Sequence, residues 1–75
     1  MLSNQILVDA RQMSCPMPLL KLKQALNGID IGGIIHLIAT DPTSKRDCVS
    51  YIEMTNHQIT IEQSNDELHF YVTKG

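Results

Sequence analysis

The sequence predicts an α/β (α+β) two-layer sandwich with the element order βαβαββ, in which two helices cover one face of a four-stranded mixed sheet. Apolar residues recur along the chain at spacings typical of strands and of helices in turn. The last two predicted strands are polar on one face, so only the other face needs helices. With 75 residues, 43% of them hydrophobic and 4% aromatic, the chain can form one small aliphatic domain spanning residues 1–75.

The first half of the chain predicts a strand, a helix and a second strand. The β-branched run QILVDA, residues 5–10, has the length of a strand, β1. From Pro16 the spacing becomes helical and Gly28 ends this helix, α1, whose apolar face holds Leu19, Leu22 and Leu26. Residues 34–40, IIHLIAT, predict the central strand β2, because one face is wholly apolar: Ile35, Leu37 and Ala39.

The second half predicts another helix and an antiparallel hairpin. In DPTSKRDCVSYIEM, Asp41 is the expected N-cap of helix α2 and Pro42 its first residue, with an apolar stripe of Cys48, Val49 and Ile52. QITIEQ and LHFYVTK alternate around the turn SNDE and predict β3 and β4, with inward residues Ile59, Ile61, Leu68, Phe70 and Val72. Right-handed crossovers place both helices on one side of the sheet. Alternation alone leaves the positions of β3 and β4 in the sheet open.

Charge and cysteine content limit the function classes. Six basic and eight acidic side chains give a net charge of −2, which argues against a general nucleic-acid binder or a membrane-surface protein. The start of the chain has neither a basic segment nor an apolar run of a secretory leader, so we expect a cytoplasmic protein. Two cysteines are too few for a secreted disulfide scaffold, and a reducing compartment keeps both as thiols.

The stretch SCPMP, residues 14–18, places a thiol where β1 gives way to α1. Cys15 is expected as the N-cap or the residue beside it, where the helix dipole and unpaired N–H groups favour the thiolate. Pro16 and Pro18 fit a first helical turn and stiffen the corner. The alternative is that Cys15 is a small apolar filler and that the prolines only start the helix.

Basic residues surround this corner in the sequence. Between Ala10 and Ile29 the chain carries Arg11, Lys21 and Lys23 and no acidic residue. A local positive charge favours a thiolate, and it also attracts acidic surfaces of partner proteins. The charge pattern therefore favours a reactive Cys15 over a filler.

The stretch VDARQMSCPMPLLKLKQAL resembles the signature of the TusA/SirA-like sulfur-carrier family, whose hallmark is a C-P-x-P motif opening the first helix. Further matches are Asp9, ATDP after β2, KRD in α2, NH before β3 and the closing TKG. The resemblance implies a fold similar to the C-terminal domain of translation initiation factor three. It also implies that Cys15 accepts sulfane sulfur as a persulfide from a cysteine desulfurase or another sulfurtransferase and passes it to a downstream acceptor protein. No cofactor is implied.

One departure from that family concerns the loop before the cysteine. The family has a glycine three residues before the motif cysteine, and this chain has Gln12 there. If the backbone needs a positive φ at this position, glutamine is strained. We therefore expect the chain to differ from the family in the geometry of this loop.

The remaining candidate residues have structural interpretations. Cys48 is expected to pack in the core, and the absence of a C-x-x-C pair argues against a dithiol site. The histidines, His36, His57 and His69, lack ligand-like spacing and are interpreted as surface residues, so no metal site is predicted. Met17 and Leu20 form either a docking patch beside the thiol or an ordinary flank of the core.

Three functions follow from these observations. The first is a sulfur carrier that shuttles a persulfide on Cys15, as in tRNA thiolation, and is a protein substrate more than a turnover enzyme. The second is a selenium- or redox-linked protein of the same fold. The third is a non-catalytic regulatory module that docks partners through the start of α1.

Overall fold

Strand β4 lies in the middle of the sheet, between β2 and β3. The computed structural model describes residues 5–14 and 16–75. In these residues the elements are β1 (Gln5–Ala10), α1 (Met17–Asn27), β2 (Ile34–Ala39), α2 (Thr43–Glu53), β3 (Gln58–Ser64) and β4 (Glu67–Thr73). The sheet order is β1-β2-β4-β3. β1 runs parallel to β2, and β4 pairs antiparallel with both β2 and β3, which resolves the order that alternation left open.

The core lies between the helices and one face of the sheet. Every second residue of the two central strands is buried, and these side chains are Ile35, Leu37, Ala39, Leu68, Phe70 and Val72. They form one cluster with Leu22 and Leu26 of α1 and Cys48 and Ile52 of α2. The predicted two-layer sandwich is therefore confirmed. Ile59 and Ile61 point to the same core but stay partly exposed because β3 is an edge strand.

Helix α2 begins later than the sequence predicts. The helix starts at Thr43, and Pro42 occupies the N-cap position instead of the first helical one. The carboxylate of Asp41 nevertheless accepts hydrogen bonds from the Thr43 backbone N–H at 3.0 Å and from the Thr43 hydroxyl at 2.9 Å. Asp41 therefore accepts a hydrogen bond from the backbone at the helix start, as predicted, but it lies one residue before the N-cap and not at the N-cap itself.

The buried stripe of α2 also differs from the prediction at one residue. Ser44, Cys48 and Ile52, at spacings of four, are the buried residues, whereas Val49 is only half-buried. A helix turns by about 100° per residue, so Val49 lies at the side of a stripe centred on Cys48. The expected core position of Cys48 is confirmed, since its side chain is 0% exposed.

Residues at the C-terminal end of the chain form hydrogen bonds with the end of α1 and with the start of β3. The Lys74 ammonium donates hydrogen bonds to the backbone oxygens of Leu26 at 2.8 Å and Ile29 at 2.7 Å. The Gly75 backbone N–H donates to His57 Nδ1 at 3.0 Å. A Cβ at Gly75 would lie 2.1 Å from the Asn56 backbone oxygen, so only glycine fits. The motifs NH and TKG, distant in sequence, therefore form one contact.

Replacing Lys74 with methionine should destabilise the protein. The substitution keeps most of the aliphatic stem but removes a charged donor from two backbone oxygens at the end of α1, so we expect a loss of about 1–3 kcal/mol. Urea denaturation measures the loss. Lys45→Met, on the exposed surface of α2, is the matched control and should change stability by less than about 0.5 kcal/mol. Equal losses for the two variants would contradict this role of Lys74.

No helix in residues 5–14 and 16–75 has the length and apolar character that crossing a bilayer requires.

Candidate functional site

The corner between β1 and α1 is built around the C-P-x-P motif. Cys15 itself lies outside the described residues. The N-cap of α1 is Pro16, the residue that follows Cys15 in the sequence. The Met17 backbone N–H donates to the Ser14 oxygen at 2.9 Å. The motif therefore spans the N-terminus of α1, where the first backbone N–H groups have no acceptor within the helix.

The two prolines of the motif occupy different environments. Pro16 is exposed and precedes the first helical turn, which corrects the expectation that it belongs to that turn. Pro18 is the second residue of α1 and is fully buried. Its ring therefore fixes the backbone and also holds the start of the helix against the core, a packing role that the sequence pattern did not indicate.

Arg11, the first residue after β1, is held by two carboxylates. Its Nε and Nη2 donate to the two carboxylate oxygens of Asp9 at 2.9 and 3.0 Å, a two-pronged pairing that suits guanidinium and carboxylate. Its Nη1 lies 3.4 Å from Glu67 Oε2 on β4. Hydrogen bonds from Arg11 lower the pKa of Asp9 to about 2, and the same bonds raise the pKa of Arg11. Both groups stay ionised at neutral pH.

These pairs correct the predicted positive charge of the segment. The charge of Arg11 is compensated by Asp9 and Glu67 and is not available as a free cation. Lys23 Nζ lies 4.9 Å from the centre of the Tyr51 ring, against α2, and Lys21 is half-buried. The basic surface next to the motif therefore comes from the two lysines of α1. Sequence spacing could not find Glu67, which is 56 residues from Arg11.

Gln12 adopts the backbone conformation that the family glycine predicts. Its φ is +64°, in the left-handed region that costs a residue with a Cβ about 1–2 kcal/mol. The Gln12 backbone N–H donates to Thr40 Oγ1 at 2.8 Å, directly after β2. The next residue, Met13, donates its N–H to the Ala10 oxygen at 3.3 Å and packs against the core. The loop is thus fixed at three successive residues before the motif.

Replacing Gln12 with glycine should stabilise the protein by up to about 1 kcal/mol. Glycine removes the left-handed strain, and its greater freedom in the unfolded chain offsets part of the gain. The hydrogen bond to Thr40 uses the backbone and is retained. Thermal and urea denaturation measure the change. Gln12→Ala keeps the Cβ and should give no gain, so a similar stabilisation by alanine would show that backbone strain is not the cause.

The surface beside the motif combines a polar cleft with an exposed apolar pair. Asp9, Arg11, Gln12, Thr40 and Glu67 line a shallow cleft of about 370 Å³. On α1, Met17 and Leu20 are 43% and 42% exposed. They are three residues apart and therefore neighbours on one helix face. Both side chains are therefore partly open to solvent beside the motif.

Comparisons with known proteins identify the family. The profile of the family described as "Sulfurtransferase TusA" matches residues 6–74. The chain is 32% identical over 69 residues to the sulfur carrier protein TusA of Allochromatium vinosum, covering 91% of each chain. It is 35% identical to the Bacillus subtilis protein YrkI over the full length of both. The chain therefore belongs to the TusA sulfurtransferase family, several of whose members are named sulfur carrier proteins.

A solved structure supports the fold. The crystal structure of the SirA-like protein from Desulfitobacterium hafniense superposes with a TM-score of 0.83 at 24% identity, covering 93% of this chain and 97% of the other. At this identity the similarity establishes the fold alone. It agrees with the βαβαββ sandwich described above.

Proposed function

We propose that this protein is a sulfur carrier that holds sulfane sulfur as a persulfide on Cys15. Membership of the TusA family is the observation that carries the proposal. The donor is a cysteine desulfurase or another sulfurtransferase, and the recipient is a downstream acceptor protein, as in tRNA thiolation. The protein is consumed and regenerated within a relay, so it acts as a protein substrate more than as a turnover enzyme.

The chemistry is two successive thiol–persulfide exchanges. The Cys15 thiolate attacks the terminal sulfur of the donor persulfide, forming a new S–S bond while the donor's own S–S bond breaks. The donor cysteine leaves with the bonding electron pair as a thiolate. An acceptor thiolate then attacks the terminal sulfur on Cys15 and releases the Cys15 thiolate. No net oxidation occurs in either step, so the relay needs no electron carrier.

The start of α1 supports this chemistry by favouring the thiolate. In the sequence Cys15 directly precedes Pro16, the N-cap of α1, and the positive end of a helix dipole stabilises a thiolate placed next to it. A lower thiol pKa increases the fraction that is nucleophilic at neutral pH. The contacts made by Arg11, Gln12 and Met13 fix the loop that precedes the motif. In this proposal the role of Arg11 is to hold that loop in place.

A carrier also needs protection from premature discharge and a surface for its partners. Cys48 is fully buried in the core, where its thiol is shielded from a persulfide on the surface. The exposed pair Met17 and Leu20 offers apolar contact next to the motif, and Lys21 and Lys23 add positive charge for acidic partner surfaces. A thiol that must return to its reduced form after each transfer suits the cytoplasm.

The direct test is sulfur loading of the unmodified protein. Incubation with a cysteine desulfurase and cysteine should add one sulfur atom, about 32 Da, that reductant removes. Intact-protein mass spectrometry measures the adduct. Loading by thiosulfate or a selenium compound without any partner protein would favour the selenium- or redox-linked alternative. Absence of an adduct with every donor would contradict the carrier function.

A further inference from the structure

Strand β1 forms an open edge of the sheet. In the described part of the chain, residues 5–14 and 16–75, β1 pairs with β2 on one side and with no strand on the other. The outward backbone N–H and C=O groups of an edge strand are a template for pairing with another strand, and charged side chains on the edge discourage it. The other edge strand, β3, carries Glu62 near its middle, whereas the charged residue of β1 is Asp9, next to its end. Strand β1 is therefore the edge that is more open to pairing.

The exposed apolar side chains of the sheet also lie at this edge. Among the described residues of the four strands, the exposed large apolar side chains are Leu7 at 64% and Ile6 and Ile34 at 37% each. Leu7 and Ile34 belong to the face away from the helices, the open face, on adjacent strands, and Ile6 belongs to the helical face. Apolar surface gathered at one edge is typical of an interaction site.

A second copy of β1 fits this edge in one antiparallel register. A two-fold axis perpendicular to the sheet keeps equivalent faces together, so residues opposite each other must belong to the same face. With Leu7 on the axis, it lies opposite its own equivalent on the open face. Ile6 then lies opposite Val8 on the helical face, and the Gln5 amide can donate to the Asp9 carboxylate. Centring the pair on Val8 instead would place Leu7 against the Asp9 carboxylate, so the register centred on Leu7 is the complementary one.

The helices leave room for this pairing. Helix α1 packs on both β1 and β2, so its axis runs over the space between these two strands. In a paired dimer the two α1 helices would therefore be two strand spacings apart, roughly 10 Å. That is the ordinary distance between packed helices, so the second copy extends both layers without overlap.

We propose that two copies of this chain associate through β1, antiparallel about Leu7, so that two four-stranded sheets join into one. The dimer is closed, because it uses both β1 edges. One strand from each copy makes a small interface, near or below about 1,200 Å² in total, so the association is weak and depends on concentration. The loops that follow β1 lie at opposite ends of the antiparallel pair, so the pairing does not bring the two C-P-x-P motifs together.

Analytical ultracentrifugation of the unmodified protein under reducing conditions tests the association. The average mass should rise from one subunit toward two between about 10 µM and about 1 mM. Leu7→Lys places two like charges directly opposite each other and removes an apolar contact, so it should weaken the dimer at least about fivefold. Thr60→Lys, at an exposed position of the β3 edge, is the matched control and should associate as the unmodified protein does.

The register is tested by a variant that should strengthen the dimer. Gln5→Lys places an ammonium opposite the Asp9 carboxylate of the other copy and should tighten association by about two- to fivefold at low salt. In a mixture of isotope-labelled and unlabelled protein at high concentration, nuclear Overhauser contacts should join the Leu7 methyl groups of the two copies.

A protein that stays monomeric up to about 1 mM would overturn the proposal. Equal weakening by Leu7→Lys and Thr60→Lys, with folding verified by amide spectra, would do the same, as would a weaker dimer in Gln5→Lys or contacts between copies that exclude Leu7. Sulfur loading of Cys15 is measured separately by mass, so its failure leaves this test unaffected.

Discussion

Replacing Cys15 with serine will abolish sulfur loading while leaving the fold and partner binding largely intact. The substitution exchanges the thiol for a hydroxyl of similar shape beside a helix start, where serine is well tolerated. A hydroxyl cannot form a persulfide under these conditions, so the adduct of about 32 Da should disappear completely. Intact-protein mass spectrometry after incubation with a cysteine desulfurase measures the adduct, and pull-down of the desulfurase measures binding.

Cys48→Ser is the matched control for this experiment. Cys48 is fully buried, so the substitution places a hydroxyl in the core and should cost about 1–3 kcal/mol of stability. The adduct on Cys15 should persist in the molecules that remain folded. An adduct that disappears with Cys48, or that survives in Cys15→Ser, would refute the assignment. If no donor loads the unmodified protein, and Cys15→Ser binds the desulfurase as the unmodified protein does, the docking module is the better account.

The sequence predicts which face of a strand is buried, but it does not predict which strands are adjacent in the sheet. Alternation in LHFYVTK correctly separates the buried residues of β4 from the exposed ones, because side chains of a strand point to opposite faces in turn. The same alternation contains no information on which strand lies beside β4. The pairing of β4 with both β2 and β3 depends on long-range contacts. The 2.8 Å contact between His36 Nε2 of β2 and His69 Nδ1 of β4 is a consequence of that strand order.

The candidate site was predictable where its residues are contiguous. The motif at residues 15–18 and the positive φ at Gln12 both follow from a short stretch of sequence and its resemblance to a family. The residues that anchor the loop from outside, Glu67 and Thr40, come from other strands and leave no local pattern. The free charge expected at Arg11 was wrong because Asp9, just outside the segment that lacks acidic residues, pairs with it at 2.9 Å, and Glu67 of β4 adds a second carboxylate at 3.4 Å.

Replacing Phe70 with alanine will cause the largest loss of stability from a single truncation in the core. Phe70 is 0% exposed and lies on the central strand β4, opposite Leu37 of β2 and Ile61 of β3. Removing its ring leaves a cavity bordered by strands on both sides, so we expect a loss of about 3–5 kcal/mol. A domain of this length has roughly 4–11 kcal/mol in total. Urea denaturation measures the change.

Thr60→Ala tests the one-sided character of the sheet. Thr60 is exposed on β3, on the face away from the helices, and its truncation should cost less than about 1 kcal/mol. If Phe70→Ala is too unstable to measure, Phe70→Leu keeps an apolar side chain of smaller volume and should cost about 1–2 kcal/mol, still more than Thr60→Ala. Equal losses at positions 60 and 70 would contradict a core confined to the helical face, because a side chain exposed to water on the open face leaves no cavity when it is removed.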